Sequence, residues 1–423
     1  MEIKKGYKQT DIGVIPNDWL IKPFKEISFM KGRIGWQGLK QTEFTTNSDE
    51  PFLITGMNFK DGVIRWDEVY HVSLKRYEIA KEIQLKTNDI LMTKDGTIGK
   101  LLYVDKIPNP GMATLNSHLL VFRPIRNSYI PRFLYYQLLS KFFLNFIELN
   151  KSGSTFFGLS QQAVGTYNVF LPPNKEQTAI ATTLSDIDGL ISNLEKLLGK
   201  KQAIRQGVLQ QLMKPKKGWK IMKISDLLIN FQNGYGFSAL GYVTNGIPIV
   251  TMAQIGLDGT FNFNEQKTNK WVTYDFNKLS NYHLENGDLI IAMTDVTPEK
   301  NLIGRMAIVR TNQTLLLNQR VGLLRIDRKK INAYFLKTLS NMTNWRTYCI
   351  GSASLGVQAN ISTKDILNGE IEIPQINEQN EISNIILGID SELEKLEILL
   401  FKYKMLKQGM MQNLLTGKIR LNG

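Results

Sequence analysis

One cysteine, Cys349, stands in 423 residues, so no disulfide can form within the chain. The three histidines, His71, His118 and His283, are scattered, which argues against a metal site. No apolar run approaches the ~20 residues of a membrane span, and Met1 to Thr10 lacks the apolar core of a secretory signal. These absences point to a reducing, cytoplasmic setting. Catalytic signatures are missing too. An amino-methyltransferase needs an Asp/Asn-Pro-Pro-aromatic loop, and the one Pro-Pro pair reads Leu171-Pro172-Pro173-Asn174. No Gly-x-x-x-x-Gly-Lys-Ser/Thr phosphate loop occurs, and the spacing of Phe231, Gly234 and Gly236 is wrong for a cofactor loop. Asp295 with Glu299 and Lys300 is the nearest acidic-basic cluster, and a solvated loop explains it without a nuclease.

Acidic side chains are also scarce: 38 Asp and Glu face 52 Lys and Arg, a formal charge of +14. Such an excess gives affinity for polyanions, because neutralising phosphates releases their counterions. Duplex DNA is favoured over an anionic membrane, for which the chain offers no apolar segment.

What is abundant is self-similarity. Pro172, Glu176, Gln177, Ile180, Ile187, Asp188, Leu194, Glu195, Leu198, Lys200, Gln206, Gly207, Gln210 and Leu212 all recur after a shift of 202 residues, as Glu176 does in Glu378, with no gap. Two such copies imply two similar modules in a pseudo-twofold arrangement.

The repeated segment is helical by its spacing. Ile180, Leu184, Ile187, Ile191, Leu194 and Leu198 alternate steps of four and three, and Val208 and Leu212 resume the series. The copy runs Ile382, Ile386, Ile389, Leu393, Leu396, Leu400, Tyr403, Met410 and Leu414. Asn174 with Gln177 reads as a capping box, and Glu176 suits the positive end of the helix dipole. Pro215 and Gly417 are the stops. Each seam could pack on its own neighbouring domain, but two seams of equal length and register most economically bury each other. An antiparallel pair with a globular domain at either end is the expected architecture.

Ahead of each helix lie short apolar runs between turn formers: Phe52-Leu53-Ile54, Gly62-Val63-Ile64, Asp89-Ile90-Leu91-Met92 and Leu101-Leu102-Tyr103-Val104, then Pro248-Ile249-Val250, Asp288 to Ile291 and Met306 to Val309. Single helices are expected near 131–150 and 331–348. Ile98-Gly99-Lys100 matches Ile303-Gly304-Arg305, and Leu115-Asn116 matches Leu317-Asn318. The fold class is α/β (α+β). Reading bases needs forked donors and amides on exposed loops, and holding phosphates needs Lys, Arg or backbone N–H groups. In the first half the candidates are Arg33, Trp36, Gln37 and Lys40; Thr93, Lys94, Asp95, Thr97 and Lys100; and Ser117 and His118. In the second they are Gln232, Asn233, Tyr235, Ser238, Thr294, Asp295, Lys300, Arg305, Gln319 and Arg320.

Gly6-Tyr7-Lys8, Thr10, Ile12-Gly13, Ile15-Pro16 and Asp18-Trp19 resemble the opening of specificity subunits of type I restriction-modification systems. So do Gly153-Ser154-Thr155 with Leu159-Ser160, Pro172 to Gln177, Gln206-Gly207 and the ending Leu414 to Arg420. The resemblance implies target recognition domains at 1–172 and 216–373, and conserved helical regions at 173–215 and 374–423 that pair as an antiparallel coiled coil. It also implies double-stranded DNA as ligand, with each domain reading one half of a bipartite, asymmetric site. The implied partners are two adenine-N6 methyltransferase subunits using S-adenosylmethionine, and restriction subunits using ATP and Mg. The chain itself would hold no cofactor and perform no catalysis. A scaffold that binds methyltransferases without reading sequence is the alternative, disfavoured by the basic charge and by the divergence between the paired domains. The second half lacks the Gly-Tyr-Lys opening and re-enters at Gly218-Trp219, aligned with Asp18-Trp19.

Overall fold

The computed structural model describes residues 5–10, 13–59, 62–152, 158–297, 299–354 and 359–421. The chain divides into two compact units, one of Met1–Lys196 with Ile398–Gly423 and one of Leu197–Glu397, a division that runs through both long helices.

In the first unit, strands Ser28–Gly32, Leu119–Pro124, Ile90–Thr93 and Leu101–Tyr103 form an antiparallel sheet in that spatial order. The pleat sends alternate side chains to opposite faces, and here both faces are covered. Ile90, Met92, Leu120 and Phe122 enter a core with the helices Pro131–Leu138 and Lys141–Asn150. Leu91, Leu119 and Val121 face a second core against another sheet. That sheet places Ala113–Leu115 parallel to Phe52–Ile54, with Tyr70–Val72 and Phe44–Thr45 beyond.

The second unit repeats the plan. Strands Leu228–Asn233, Val321–Ile326, Leu289–Ala292 and Met306–Ile308 form the first sheet, and Leu315–Leu317 lies parallel to Ile247–Val250 in the other. An Arg–Asp pair closes equivalent sheet ends: Arg123 Nε and Nη2 meet Asp89 at 2.7 and 2.8 Å, and Arg325 meets Asp288 through Nη1 alone.

Several expectations need correction. Gly62-Val63-Ile64 is no strand; Gly62 takes φ 72°, a left-handed value that makes a turn. The expected helices at 131–150 and 331–348 are each two helices, broken at Leu139–Ser140 and between Leu339 and Thr343. In the second unit the break is held by Ser340, whose Oγ donates to Lys337 O at 2.7 Å and accepts from Met306 N at 3.0 Å. Gln177 does not close a capping box. Its Oε1 accepts from Ile130 N at 2.9 Å and its Nε2 donates to Pro172 O at 2.9 Å; Gln379 does the same with Asn332 N and Pro374 O, both at 2.9 Å. The amide turns toward the globular core because it is needed there.

The long helices are Asn174–Leu212 and Ile376–Leu414, 39 residues each, about 58 Å at ~1.5 Å per residue. Within each unit they run antiparallel. Lys407 pairs with Asp188 and Lys404 with Glu195 in the first; Arg205 pairs with Asp390 and Lys201 with Glu392 in the second. The shift of 202 turns Asp188 into Asp390 and Arg205 into Lys407, so one contact is made twice with its partners exchanged. The seam is shared between the helix pair and the domains. Ile180, Leu184 and Leu414 lie in the first unit's core; Ile382 and Ile386 lie in the second's. Ile187, Ile191 and Leu393 are buried, and Leu194, Leu198, Ile389, Leu396, Leu400, Tyr403 and Met410 are half-buried. The expected Val208 and Leu212 are only half-buried; Leu209 and Met213 take the core positions, because the helix end meets a third layer and buries a wider face.

Trp19 is fully buried and donates from Nε1 to Glu176 at 3.2 Å. Arg420 forks onto Glu176 and Asp18, and Tyr7 OH donates to Gly417 O at 2.9 Å, so the opening and closing motifs form one latch. Gly417 combines φ 69° with a position where a Cβ would meet Pro16 at 2.5 Å. In the second unit Trp219 and Lys216 meet Glu378 in the same way, both at 3.4 Å.

Candidate nucleic-acid interface

At one end of the paired sheets in each unit, several loops converge on a shared backbone frame. Asn116 N donates to Ile54 O at 2.9 Å, and its Oδ1 accepts from His118 N at 3.1 Å. Asn318 N donates to Val250 O at 3.0 Å, and its Oδ1 accepts from Arg320 N at 3.1 Å. An Asx turn therefore presents Ser117-His118 in one unit and Gln319-Arg320 in the other. The neighbouring strand end is fixed likewise: Lys94 N bonds His118 O at 2.9 Å, and Met293 N bonds Arg320 O at 3.0 Å. Lys94 thus corresponds to Met293, and Asp95 to Thr294.

The glycines Gly99 and Gly304 close equivalent turns at φ 84° and 73°. A Cβ on either would strike Ile147 at 2.5 Å or Cys349 at 2.3 Å. They set where Lys100 and Arg305 stand.

His118, Lys100, Asn233, Gln319 and Arg320 are exposed. Gln319 and Arg320 have no side-chain partner among the described residues. His118 Nδ1 lies 3.1 Å from Asp95 Oδ2, and Lys94 Nζ lies 2.8 Å from the same oxygen, so the three polar groups form one cluster. Lys40, Thr97 and Ser238 are exposed; Ser117, Tyr235 and Lys300 are half-buried. Tyr235 sits against the turn: its N donates to Leu317 O and its O accepts from Gln319 N, both at 2.9 Å. Gly234 allows this approach, since a Cβ there would lie 2.1 Å from Asn318 O.

Several candidates are committed inside the fold. Arg33 is buried, donating from Nε to Leu115 O at 2.7 Å and from Nη2 to Thr114 Oγ1 at 3.0 Å; burial, then nearby Arg76, pushes its pKa down to about 10. Its Nε takes the place that Tyr235 N holds in the second unit. Gln37 and Thr93 are buried, and Gln37 Nε2 donates to Ile79 O. Thr294 is buried with its Oγ1 on Met252 Sδ at 2.9 Å. Burial lifts the Asp295 carboxyl, but hydrogen bonds from Thr297 N and Leu302 N outweigh it and hold the group low. It is a turn former. Nearer the surface, Gln232 donates to Asn281 O, the exposed Asn233 accepts from Thr363, and Arg305 donates to Asn301 O and Asn341. The side chain of Trp36 and the Gly153-Ser154-Thr155 motif lie outside the described residues.

Sequence reasoning missed the turns Thr55–Asn58 and Thr251–Gln254, which flank the Asx turns. A Thr-x-x-Asn/Gln pattern directly after an apolar strand in both halves was the available signal. Among the described residues no group of His, Cys, Asp or Glu could hold a metal ion, and no helix is long and apolar enough to cross a membrane.

The two units thus share one loop frame and carry different polar occupants on it, which defines a protein of two duplicated, diverged modules. The model of the type I restriction modification DNA specificity domain matches twice, at residues 18–206 and 216–400. The chain belongs to this family, as a specificity subunit with two DNA recognition domains. It is 25% identical over 365 residues to the MjaVIII specificity subunit of Methanocaldococcus jannaschii, covering 81% of each chain. It is 24% identical to the EcoBI specificity subunit of Escherichia coli, over 77% of this chain and 72% of that one. In fold it is similar to the S subunit of a type I system from M. genitalium, with a TM-score of 0.60, 13% identity and 98% of each chain covered.

Proposed function

We propose that each unit reads one half of a bipartite, asymmetric site in double-stranded DNA, and that the chain brings two adenine-N6 methyltransferase subunits and the restriction subunits to that site. The paired Asx turns carry this reading. A fixed backbone with exchanged side chains is what reading two different half-sites requires, because phosphate contacts position a protein while base-edge contacts specify. S-adenosylmethionine, ATP and Mg then belong to the partners, and this chain contributes recognition without catalysis, in the cytoplasm.

The long helices support the partner role. Leu190, Leu197 and Ile204 recur every seven residues and are 41–49% exposed, and Leu399 and Leu406 repeat the last two. A second apolar stripe at heptad spacing suits a helix from another subunit.

The test is to map N6-methyladenine in a host carrying this chain with its partners, before and after replacing Gln319-Arg320 by Ser-His. One half of the methylated motif should change and the other should persist. Methylation without a fixed motif, or a change in both halves, would refute the reading.

A further inference from the structure

We propose that Met57 is the contact for the 5-methyl group of a thymine in the half-site read by the first unit. This rests on the functional reading above and adds a ligand group to it.

Thr55–Asn58 is a pinned turn. Thr55 N donates to Asn58 Oδ1 at 2.8 Å, Thr55 Oγ1 does so at 3.0 Å, and Met57 N donates to Thr55 Oγ1 at 3.3 Å. The second unit repeats the geometry: Thr251 N and Oγ1 reach Gln254 Oε1 at 2.8 and 3.0 Å, and Ala253 N reaches Thr251 Oγ1 at 3.3 Å. Only the two residues between the anchors differ in kind, Gly56-Met57 against Met252-Ala253. In the second unit the methionine is turned inward, its Sδ accepting from Thr294 Oγ1. In the first, glycine stands at that position, and Met57 is instead 67% exposed.

Single exposed apolar side chains are ordinary, so exposure alone decides nothing. The setting decides. Ile54 O, just before the turn, accepts from Asn116 N, so Met57 stands beside the turn bearing Ser117 and His118. Lys94, Asp95 and His118 make that surroundings polar and charged. On the major-groove edge of a base pair the one apolar group is the thymine methyl. A flexible, polarisable thioether with little hydrogen-bonding power matches it and nothing else on that edge.

The experiment uses the full chain with its partner subunits on duplexes carrying the mapped site. Each thymine of the first half-site is replaced in turn by deoxyuridine, which removes only the methyl. One replacement should weaken binding about fourfold, the value of one buried methyl-sized group. Met57→Ala should bind the unmodified duplex as weakly as the wild type binds that deoxyuridine duplex, with no further loss on replacement. Met57→Leu should recover part of the difference. A half-site in which no methyl matters, or a methyl effect that survives Met57→Ala, overturns the assignment. Uniform weakening of Met57→Ala on all duplexes also overturns it, and points to a wedge between base steps. Binding indifferent to sequence in the wild type defeats the functional reading itself and is thereby distinguishable.

Discussion

Gln177 illustrates how much one amide can hold. It is buried and joins the start of the first long helix to Ile130 N and Pro172 O. Gln177→Leu keeps the volume but orphans both backbone groups, at about 1–3 kcal/mol each. The urea midpoint should fall with the slope unchanged. A second residue sets an acid limit. Burial lifts the Asp390 carboxyl, but hydrogen bonds from Arg205 and Tyr334 outweigh it and hold the group below the ordinary carboxylate value. Asp390 is therefore charged in the folded chain where the unfolded chain has bound a proton. Its stabilisation is full above about pH 4 and is lost as the pH falls through that value toward the folded pKa. Asp390→Asn should flatten the acid limb of a midpoint-versus-pH curve; an unchanged limb would assign it to other carboxylates, such as Asp18. At the Asx turn of the second unit, Arg320→Ala should cost about 1–3 kcal/mol if the guanidinium forks onto a guanine, and should relax specificity at that base pair alone. Competition binding against single-base variants would show this. Polar type marked Arg320 and His118 as readily as Arg33, because sequence does not tell which side a loop arginine faces. Arg33 turned inward, where its Nε donates to Leu115 O as Tyr235 N donates to Leu317 O in the second unit.

Among the elements, the long helices were the most legible, since a three-four alternation over many turns admits no strand. Their ends were less so. The seam passes from a two-helix contact to a three-layer contact near Leu209, and a single periodicity cannot register the change. The breaks at Ser140 and Ser340 were hidden for a related reason: both flanking helices are apolar enough to read as one. If the helix pair acts as a ruler, adding one turn, about four residues, near Gly199 to Lys201 should lengthen the spacer in the methylated motif and leave both half-sites intact. Methylome sequencing checks this, and an unchanged spacer would refute the ruler.

For the molecule as a whole, the parallel pairing of Phe52–Ile54 with Ala113–Leu115 joins strands about sixty residues apart, and no local pattern announces it. The net charge of +14 has a plain consequence: the logarithm of affinity for any duplex should fall linearly with the logarithm of salt concentration. A flat dependence would contradict phosphate-driven binding. The latch of Arg420 on Asp18 and Glu176 carries a different implication. In the second unit the same corner is crossed by covalent chain from Met213 to Trp219, whereas in the first it is bridged by side chains. The order in which the two halves are encoded is thus not a requirement of the fold. A gene rearranged to start at Gly218, pass through a short linker to Gly6 and stop at Lys214 would encode the same object. By the same logic, a crossover between related genes within either repeated helix would transfer an intact recognition module, so new target sequences can arise by exchange without any new mutation.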